Sequence, residues 1–254
     1  MKFITSEEND LVKLIPKLHK NAQLRKKKQI TIIEGEHLIA AYLESNVMLS
    51  HLVVSEKFYE DNPHFKDKYR AESYSVIKNN LIKKISGLES HQDLIALITL
   101  PKEKEKVHYE GLHLYLDNIQ DPGNLGSILR TAQSFNVSAV YLSPFSCDAW
   151  SPKVLRGSQG CQFNIPIYTR DINELVDINF QFIVADMKGE GLMNFKFEKT
   201  PLIILGNEGD GVSNQIKMHN FSSVSIPMDN SVESLNVGVA AALFCYQYNF
   251  QFKG

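Results

Sequence analysis

Polar side chains and glycines cluster in three segments that each follow an apolar run, and the first segment is 121-DPGNLGSILRTAQSF-135. Its opening residues favour a turn, and the rest has the spacing of an amphipathic helix that Asn124 is suited to cap. Arg130 falls among apolar residues, on the side expected to pack against a core. Because an unpaired buried charge is costly, we expect Arg130 either to form a structural salt bridge or to face a binding site.

The second segment, 205-LGNEGDGVS-213, is rich in glycine but does not match a known phosphate-binding loop. It contains no lysine, and the carboxylates of Glu208 and Asp210 would repel a phosphate. We therefore expect the loop to bind a neutral or cationic ligand, with Glu208 accepting hydrogen bonds. The alternative is a tight turn that carries a solvated carboxylate.

The third segment, 226-IPMDNSVESLNVGVAAALFCYQ-247, runs from a predicted strand through a polar loop into a helix. Ser234 is suited to be the N-cap, whereas Asn236 in the first turn has no structural role of similar quality. Gly238 and the alanines at 240–242 form a face of small residues. This face predicts close helix packing, either within the domain or across a dimer.

Other kinds of catalytic site are poorly supported. None of the eight histidines lies in the three segments, the sequence has no GxSxG motif, and no group of residues has metal-ligand spacing. If the chain is an enzyme, we expect it to work without a histidine base or a metal ion.

The cysteines and the N-terminus indicate the compartment. Cys147, Cys161 and Cys245 are odd in number, widely spaced and without a CxxC pair, which favours a reducing cytoplasm over a disulfide framework or a zinc site. The first residues, MKFITSEENDLVKL, lack the apolar core of a signal peptide, and no run reaches the length of a membrane span. We therefore expect a soluble, intracellular protein.

Predicted strands and helices alternate along the 254 residues, and 101-PKEKEKVHYEG-111 has the composition of a linker. We therefore predict one domain at 1–105 and a second at 106–254. Most strands of the second are apolar throughout, as in a parallel sheet buried on both faces, where ligands bind at the carboxyl ends of the strands. The predicted strands are 30–35, 51–56, 93–100, 112–117, 139–143, 181–186, 201–206 and 223–228, and the predicted helices are 36–45, 124–136, 151–158, 172–177, 213–219 and 234–249.

The net charge of -2 conceals an asymmetry between the two parts of the chain. Residues 1–106 carry 18 Lys and Arg against 15 Asp and Glu, whereas residues 107–254 carry 9 against 14. The basic excess is concentrated in 13-KLIPKLHKNAQLRKKK-28. This block is a weak sign of a polyanionic partner such as RNA, and a solvated helix face explains it about equally well.

Taken together, the three segments resemble the ordered motifs of the SpoU/TrmH family of RNA ribose 2'-O-methyltransferases, in the SPOUT superfamily. The family's N-x5-R motif is met by Asn124 and Arg130, its G-x-E-G motif by 206-GNEG-209, and its third motif by 226-IPM-228 with 234-SLNVGVA-240. The element 156-RGSQG-160 is similar to the family's R-x-S-x-G. Gly238 departs from the pattern, which commonly has serine there.

The resemblance implies a C-terminal parallel-sheet α/β trefoil-knot (SPOUT) domain with a smaller N-terminal L30e-like α/β domain. The latter would bind the RNA substrate, and 28-KQITIIEGEHLIAAYLES-45 looks like part of it. The implied activity is methyl transfer from S-adenosylmethionine to a ribose 2'-hydroxyl, in rRNA more than in tRNA. The implied assembly is a homodimer whose interface includes part of the helix 234–249.

The resemblance also implies which residues form the site. Those that would bind the cofactor are Leu205, Gly206, Ile226, Met228 and Leu235. Those that would act in catalysis are Asn124, Arg130, Glu208, Ser234 and Asn236. A guanidinium is a poor base, so we expect Arg130 to bind a substrate phosphate and to stabilise the developing alkoxide.

The sequence leaves two other functions open. A non-catalytic RNA-binding protein could keep the fold and lose turnover, although the intact polar set argues against this. A nucleotide-binding α/β enzyme could use 206-GNEGDG-211 as its phosphate loop, although the loop lacks the lysine and the serine or threonine that such loops contain.

Overall fold

The structure is a computed structural model, and it describes residues 1–88, 92–103, 109–207, 209–229 and 231–253. The strands are β1 (Lys2–Ile4), β2 (Ile30–Glu34), β3 (His51–Ser55), β4 (Tyr74–Ile77), β5 (Leu94–Thr99), β6 (His113–Leu116), β7 (Ala139–Leu142), β8 (Ile167–Thr169), β9 (Gln181–Gly191), β10 (Pro201–Leu205) and β11 (Ser222–Ser225). The α-helices are α1 (Asp10–Lys20), α2 (Ala22–Lys28), α3 (Glu36–Glu44), α4 (Glu56–Asp61), α5 (Phe65–Lys68), α6 (Asn79–Ile85), α7 (Pro122–Ser134), α8 (Pro152–Ser158), α9 (Asn214–Lys217) and α10 (Val237–Lys253).

The chain forms two compact units. The first comprises Met1–Lys102 and Trp150–Phe163, and the second comprises Glu103–Ala149 and Asn164–Gly254. The segment 150–163, which the predicted division assigns to the second domain, therefore belongs to the first unit. Most of the predicted linker lies outside the described residues, so the boundary between residues 105 and 106 stays a prediction.

The first unit is a mixed sheet with helices on both faces, and its strand order is β1-β4-β3-β5-β2. Successive strand residues point to opposite faces, so Ile32 joins the core cluster under α1 and α6, whereas Ile33 joins the cluster under α3 and α5. The fully buried Leu155 of α8 belongs to this second cluster. Its burial is the physical reason why residues 150–163 pack with the first unit.

The second unit contains the sheet that positions the candidate site. Its strand order is β11-β9-β10-β6-β7-β8, and each neighbouring pair runs parallel. Every residue of β6, β7 and β10 is buried, as the uniformly apolar runs predict. The helices α7 and α10 pack against each other, and α10 also contacts β10.

Several predicted elements differ from those observed. The predicted helix 172–177 is a short 3-10 helix at Ile172–Glu174, and the predicted helix 234–249 begins at Val237. The strand predicted at 223–228 ends at Ser225, because Pro227 has no N–H to donate to a ladder. In contrast, β9 continues to Gly191, five residues beyond its predicted end.

Three observations concern membrane-spanning helices, metal ligands and the cysteines. Within the residues that the structure describes, no helix combines the length and the apolar composition needed to cross a bilayer. The same residues contain no group of three or more His, Cys, Asp or Glu side chains placed to hold a metal ion. Within the described ranges none of the three cysteines forms a disulfide, and burial raises the pKa of Cys245 to about 12.

His113 makes the stability of the second unit depend on pH. It is fully buried in β6 between the rings of Tyr141 and Phe180, and this burial lowers its pKa to about 4. The folded state therefore holds the neutral ring, whereas an unfolded chain takes up a proton below about pH 6.5. The stabilisation is complete above that pH and is lost as the pH falls towards 4.

We expect His113→Phe to remove this part of the pH dependence. Between about pH 7.5 and about pH 5, the unfolding free energy of the unchanged protein should fall by about 2 kcal/mol more than that of the variant. Urea unfolding of both proteins at the two pH values checks this, because the other titrating groups are common to both. Equal losses in the two proteins would contradict the role assigned to His113.

Candidate functional site

A pocket of about 570 Å³ opens at the carboxyl end of β10 and beside the middle of β9 in the second unit. Its walls come from residues 185–188 of β9, the loop after β10, the segment after β11 and the first turns of α10. The predicted cofactor residues Leu205, Gly206, Ile226, Met228 and Leu235 all line it. Three segments that are far apart in the sequence thus enclose one cavity.

Hydrogen bonds and close backbone contacts constrain the loop after β10. The backbone groups of Asn207 and Gly211 pair with each other, both bonds being 2.9 Å, and Gly211 has a φ of +69° that suits glycine. A Cβ on Gly206 would lie 2.3 Å from the backbone carbon of Gly211, so only glycine fits there. The predicted catalytic residue Glu208 lies outside the described residues.

The same loop is tied to the residues that follow β6. The Asn207 side-chain amide donates to the Asn118 carbonyl oxygen at 3.0 Å, and the Ser213 backbone N–H donates to the buried Asp117 carboxylate at 2.6 Å. Sequence reasoning did not single out Asn207, Asp117 or Asn118. Only their positions directly after two buried strands could have indicated them.

The charged residues around the pocket come mainly from outside the glycine-rich loop. Asp186, Asp210 and Glu233 provide three carboxylates, and Lys188 and Lys217 provide two ammonium groups. The loop itself contains no lysine, but neighbouring segments bring these two to the pocket. The described lining residues therefore carry a small acidic excess together with two groups that can pair with an anion.

The predictions for the first segment need two corrections. Asp121, not Asn124, is the N-cap of α7, and its carboxylate accepts from the Asn124 N–H at 2.8 Å, with Pro122 next to it at the first helical position. Arg130 is exposed rather than on the packing side. Leu125 lies on the buried side of α7, and at about 100° per residue Arg130 lies roughly 140° around from it.

Arg130 is accordingly no buried structural charge. No hydrogen bond or ion pair joins its guanidinium to any residue within the described ranges. The salt-bridge explanation is therefore wrong for the described part of the chain, and the side chain faces solvent.

The roles of Ser234 and Asn236 are the reverse of those predicted. Asn236 is the N-cap of α10, because its side-chain oxygen accepts from the Gly238 N–H at 2.9 Å. Ser234 precedes the helix, is exposed and lines the pocket. The Asn236 amide also donates to the Asn124 side-chain oxygen at 2.8 Å, which joins the beginnings of α7 and α10. Two of the predicted catalytic residues are thus in direct contact.

The small-residue face of α10 packs inside the second unit. Gly238 and Ala241 are buried, and a Cβ on Gly238 would lie 3.0 Å from the Ser127 hydroxyl of α7. Glycine here relieves a tight approach between the two helices, which gives a physical account of the departure from serine. Of the two packing arrangements that the sequence left open, the structure shows the one within the domain.

The parallel sheet, the pocket at the end of its strand β10 and the smaller α/β unit agree with the class of SPOUT methyltransferases that the motifs predicted. The chain belongs to the SpoU rRNA methylase family, whose model matches residues 111–246. Residues 9–96 match a second model, described as an MRM3-like substrate binding domain. The predicted family and fold class are confirmed, and the chain is an RNA methyltransferase.

Individual relatives agree with this assignment. The chain is 30% identical to the 23S rRNA (guanosine(2553)-2'-O)-methyltransferase RlmP of Bacillus subtilis, covering 97% of this chain and 98% of the relative. It is 33% identical to the 23S rRNA (guanosine-2'-O-)-methyltransferase RlmB of Neisseria meningitidis serogroup B, covering 63% and 69%. An AdoMet-bound rRNA methyltransferase from Sinorhizobium meliloti has the same fold, with a TM-score of 0.85, 21% identity and 98% of each chain covered.

The close approach at Gly206 generates a prediction about stability. We expect Gly206→Ala to lower the unfolding free energy by about 1–3 kcal/mol, because its Cβ would displace the backbone at Gly211. Gly209→Ala is the matched control in the same loop, since its Cβ would lie 3.5 Å from the Asn207 side chain, an ordinary contact. Urea unfolding measures both, and equal stability of the two variants would refute the steric explanation.

Proposed function

We propose that this protein transfers a methyl group from S-adenosylmethionine to a ribose 2'-hydroxyl in structured RNA, and in rRNA rather than tRNA. The observation that carries the proposal is the pocket at the end of β10 and beside the middle of β9, which brings together residues from two of the three family motifs. Both curated relatives named above act on a guanosine 2'-hydroxyl of 23S rRNA, and the Sinorhizobium meliloti structure contains AdoMet.

The lining of the pocket suits this cofactor. Leu205, Ile226, Met228 and Leu235 offer an apolar surface for an adenine ring, and Gly206 lets the backbone approach closely. Asp186 and Asp210 would favour the positive charge of the sulfonium, and Lys188 or Lys217 would pair with the carboxylate at the other end of the cofactor. When bound, the cofactor supplies an electrophilic methyl group.

The chain's own residues would align and activate the ribose. As the bond from the 2'-oxygen to the methyl carbon forms, the bond from that carbon to sulfur breaks and the hydroxyl proton leaves. Asn124 and Asn236 form a polar pair beside the pocket that would orient the ribose, with Ser234 and Glu208 as further contacts. Correct alignment alone contributes several kcal/mol to lowering the barrier.

Arg130 would act on the RNA from its exposed position. It lies six residues after Asn124, or about 9 Å further along α7, so its side chain leaves the helix outside the pocket of its own subunit. An exposed guanidinium is well suited to hold a phosphate in two hydrogen bonds. Bound there, Arg130 would position the RNA and stabilise the alkoxide, with the phosphate assisting proton removal.

We expect Arg130→Ala to abolish methyl transfer, with a loss of at least about a hundredfold, while binding of S-adenosylmethionine stays unchanged. Transfer of labelled methyl groups to rRNA from cells lacking the gene, together with calorimetry of cofactor binding, measures both effects. Gln133→Ala is the control, because Gln133 is also exposed on α7. A fully active Arg130→Ala enzyme would rule out this role.

The first unit is proposed to bind the RNA. Asn21 separates α1 from α2, so the basic block forms two helices rather than one, and Arg25 is buried with its guanidinium bonded to the Leu18 carbonyl. The remaining cations are exposed and would contact phosphates: Lys13, Lys17, Lys20, Lys26, Lys27 and Lys28. Such contacts are independent of sequence and weaken as salt rises. A solvated helix face therefore explains only part of the block, because the Arg25 side chain is buried and bonded within the first unit.

The protein is proposed to act as a cytoplasmic homodimer that forms through α10. Four large side chains are exposed along one side of this helix at helical spacing, namely Val239 (49%), Leu243 (38%), Tyr246 (58%) and Phe250 (63%). We call them the α10 stripe. A second copy of the chain would bury the stripe. The second copy would also bring its own RNA-binding surface close to Arg130.

We expect sedimentation at micromolar concentration to show a dimer for the unchanged protein and a monomer for Tyr246→Lys. Placing a charge in the stripe leaves it unpaired in the interface, which is strongly unfavourable. Val47→Lys is the control, because Val47 is exposed to a similar extent (45%) in the first unit. A monomeric unchanged protein would refute the proposed assembly.

A further inference from the structure

Phe145 is one of the most exposed large apolar side chains of the second unit, with 78% of its surface accessible. It is the third residue of a four-residue turn, Ser143–Ser146, which the Ser146 N–H closes by donating to the Ser143 carbonyl at 3.0 Å. Pro144 occupies the second position, where its fixed φ favours the turn. The ring therefore projects from the tip of a tight turn directly after β7.

The turn is anchored on the residues that follow β6. The Asn118 N–H donates to the Ser143 hydroxyl at 2.8 Å, and the Ile119 N–H donates to the Ser146 hydroxyl at 3.2 Å. Ser146 in turn donates to the Leu116 carbonyl at 3.1 Å. Polar bonds thus hold the turn in place, while the apolar ring at its tip contributes little to the core.

The sheet order places this turn in line with the cofactor pocket and α7. In the order β10-β6-β7, the glycine-rich loop follows the first strand, the loop leading into Asn124 follows the second, and the Phe145 turn follows the third. Parallel neighbours lie about 4.8 Å apart, so the outer two loops are separated by roughly 10 Å. An RNA segment with a ribose near Asn124 therefore has the Phe145 turn within reach on the side away from the glycine-rich loop.

We propose that Phe145 stacks on a nucleobase of the RNA substrate, at or beside the methylated nucleotide. This inference rests on the proposed function. Unpaired bases in RNA loops are recognised by stacking on aromatic side chains, and each such contact contributes about 1–3 kcal/mol. A ring held out on a rigid turn loses little freedom when a base stacks on it, which favours this use of the side chain.

The experiment compares Phe145→Ala, Phe145→Leu and Phe145→Trp with the unchanged protein, using rRNA from cells lacking the gene as methyl acceptor. Phe145→Ala should lower kcat/KM for the RNA roughly tenfold to a hundredfold, mainly through KM. Phe145→Leu should lose nearly as much because it keeps bulk but has no ring, whereas Phe145→Trp should retain activity. The affinity for S-adenosylmethionine and the thermal unfolding of all three should match the unchanged protein.

Met218→Ala serves as the control, because Met218 is also a very exposed apolar side chain of the same unit (86%), after α9. Activity of Phe145→Ala or Phe145→Leu equal to that of the unchanged protein overturns the stacking proposal alone. A shift from dimer to monomer in Phe145→Ala would also overturn the stacking proposal, because it would assign the ring to a contact with a second copy. If the unchanged protein methylates no ribose, the proposed function itself fails.

Discussion

The hydrogen bonds around residues 116–119, just after β6, are the constraint on which the site depends. On one side, Asn207 and Ser213 bind to Asn118 and Asp117, which fixes the wall of the pocket. On the other side, the turn after β7 binds to the same short segment. Parallel strands end at a common edge but do not by themselves order the loops that follow. These bonds convert three neighbouring loops into one rigid surface.

Helix capping performs a second task in this protein. Asp121 and Asn236 each satisfy free N–H groups at the start of a helix, as many residues of these types do. Asn236 also reaches Asn124, so the cap of α10 is bonded to the first turn of α7. A residue that stabilises the helix therefore also sets the separation of the two polar groups proposed to hold the ribose. The Asn236 side chain thus serves both the stability of α10 and the positioning of the site.

Some of the structure could be predicted from local sequence, and some could not. β7 and β10 were evident because a strand buried on both faces is apolar at every position, and β6 departs from this pattern only at His113. β1, β4 and β8 are only three or four residues long and depend on neighbours distant in the chain, so periodicity does not indicate them. The place of α8 in the first unit follows from the burial of Leu155, which no local pattern reveals.

Some predictions for the site were correct and others were wrong. The cofactor residues were identified because the ordered motifs mark their segments, and the structure brings the residues of the second and third segments to one cavity. The choice of cap was wrong twice, since Asp121 and Asn124, like Ser234 and Asn236, are pairs of suitable residues close together in sequence. Only the course of the chain selects between them. Arg130 was predicted on the packing side because it follows Ile128 and Leu129. A helix turns by about 100° per residue, which is enough to place the next side chain outside the core.

The pocket also has a consequence for the order in which the protein matures. Its walls include residues from Ala185 to Phe244, so the cavity cannot form until residue 244 has been synthesised. The segment that closes it, from β11 into α10, packs against β9 and α7. A ligand that binds only the closed pocket would stabilise that packing. The same cavity that is proposed to serve catalysis would then also stabilise the second unit.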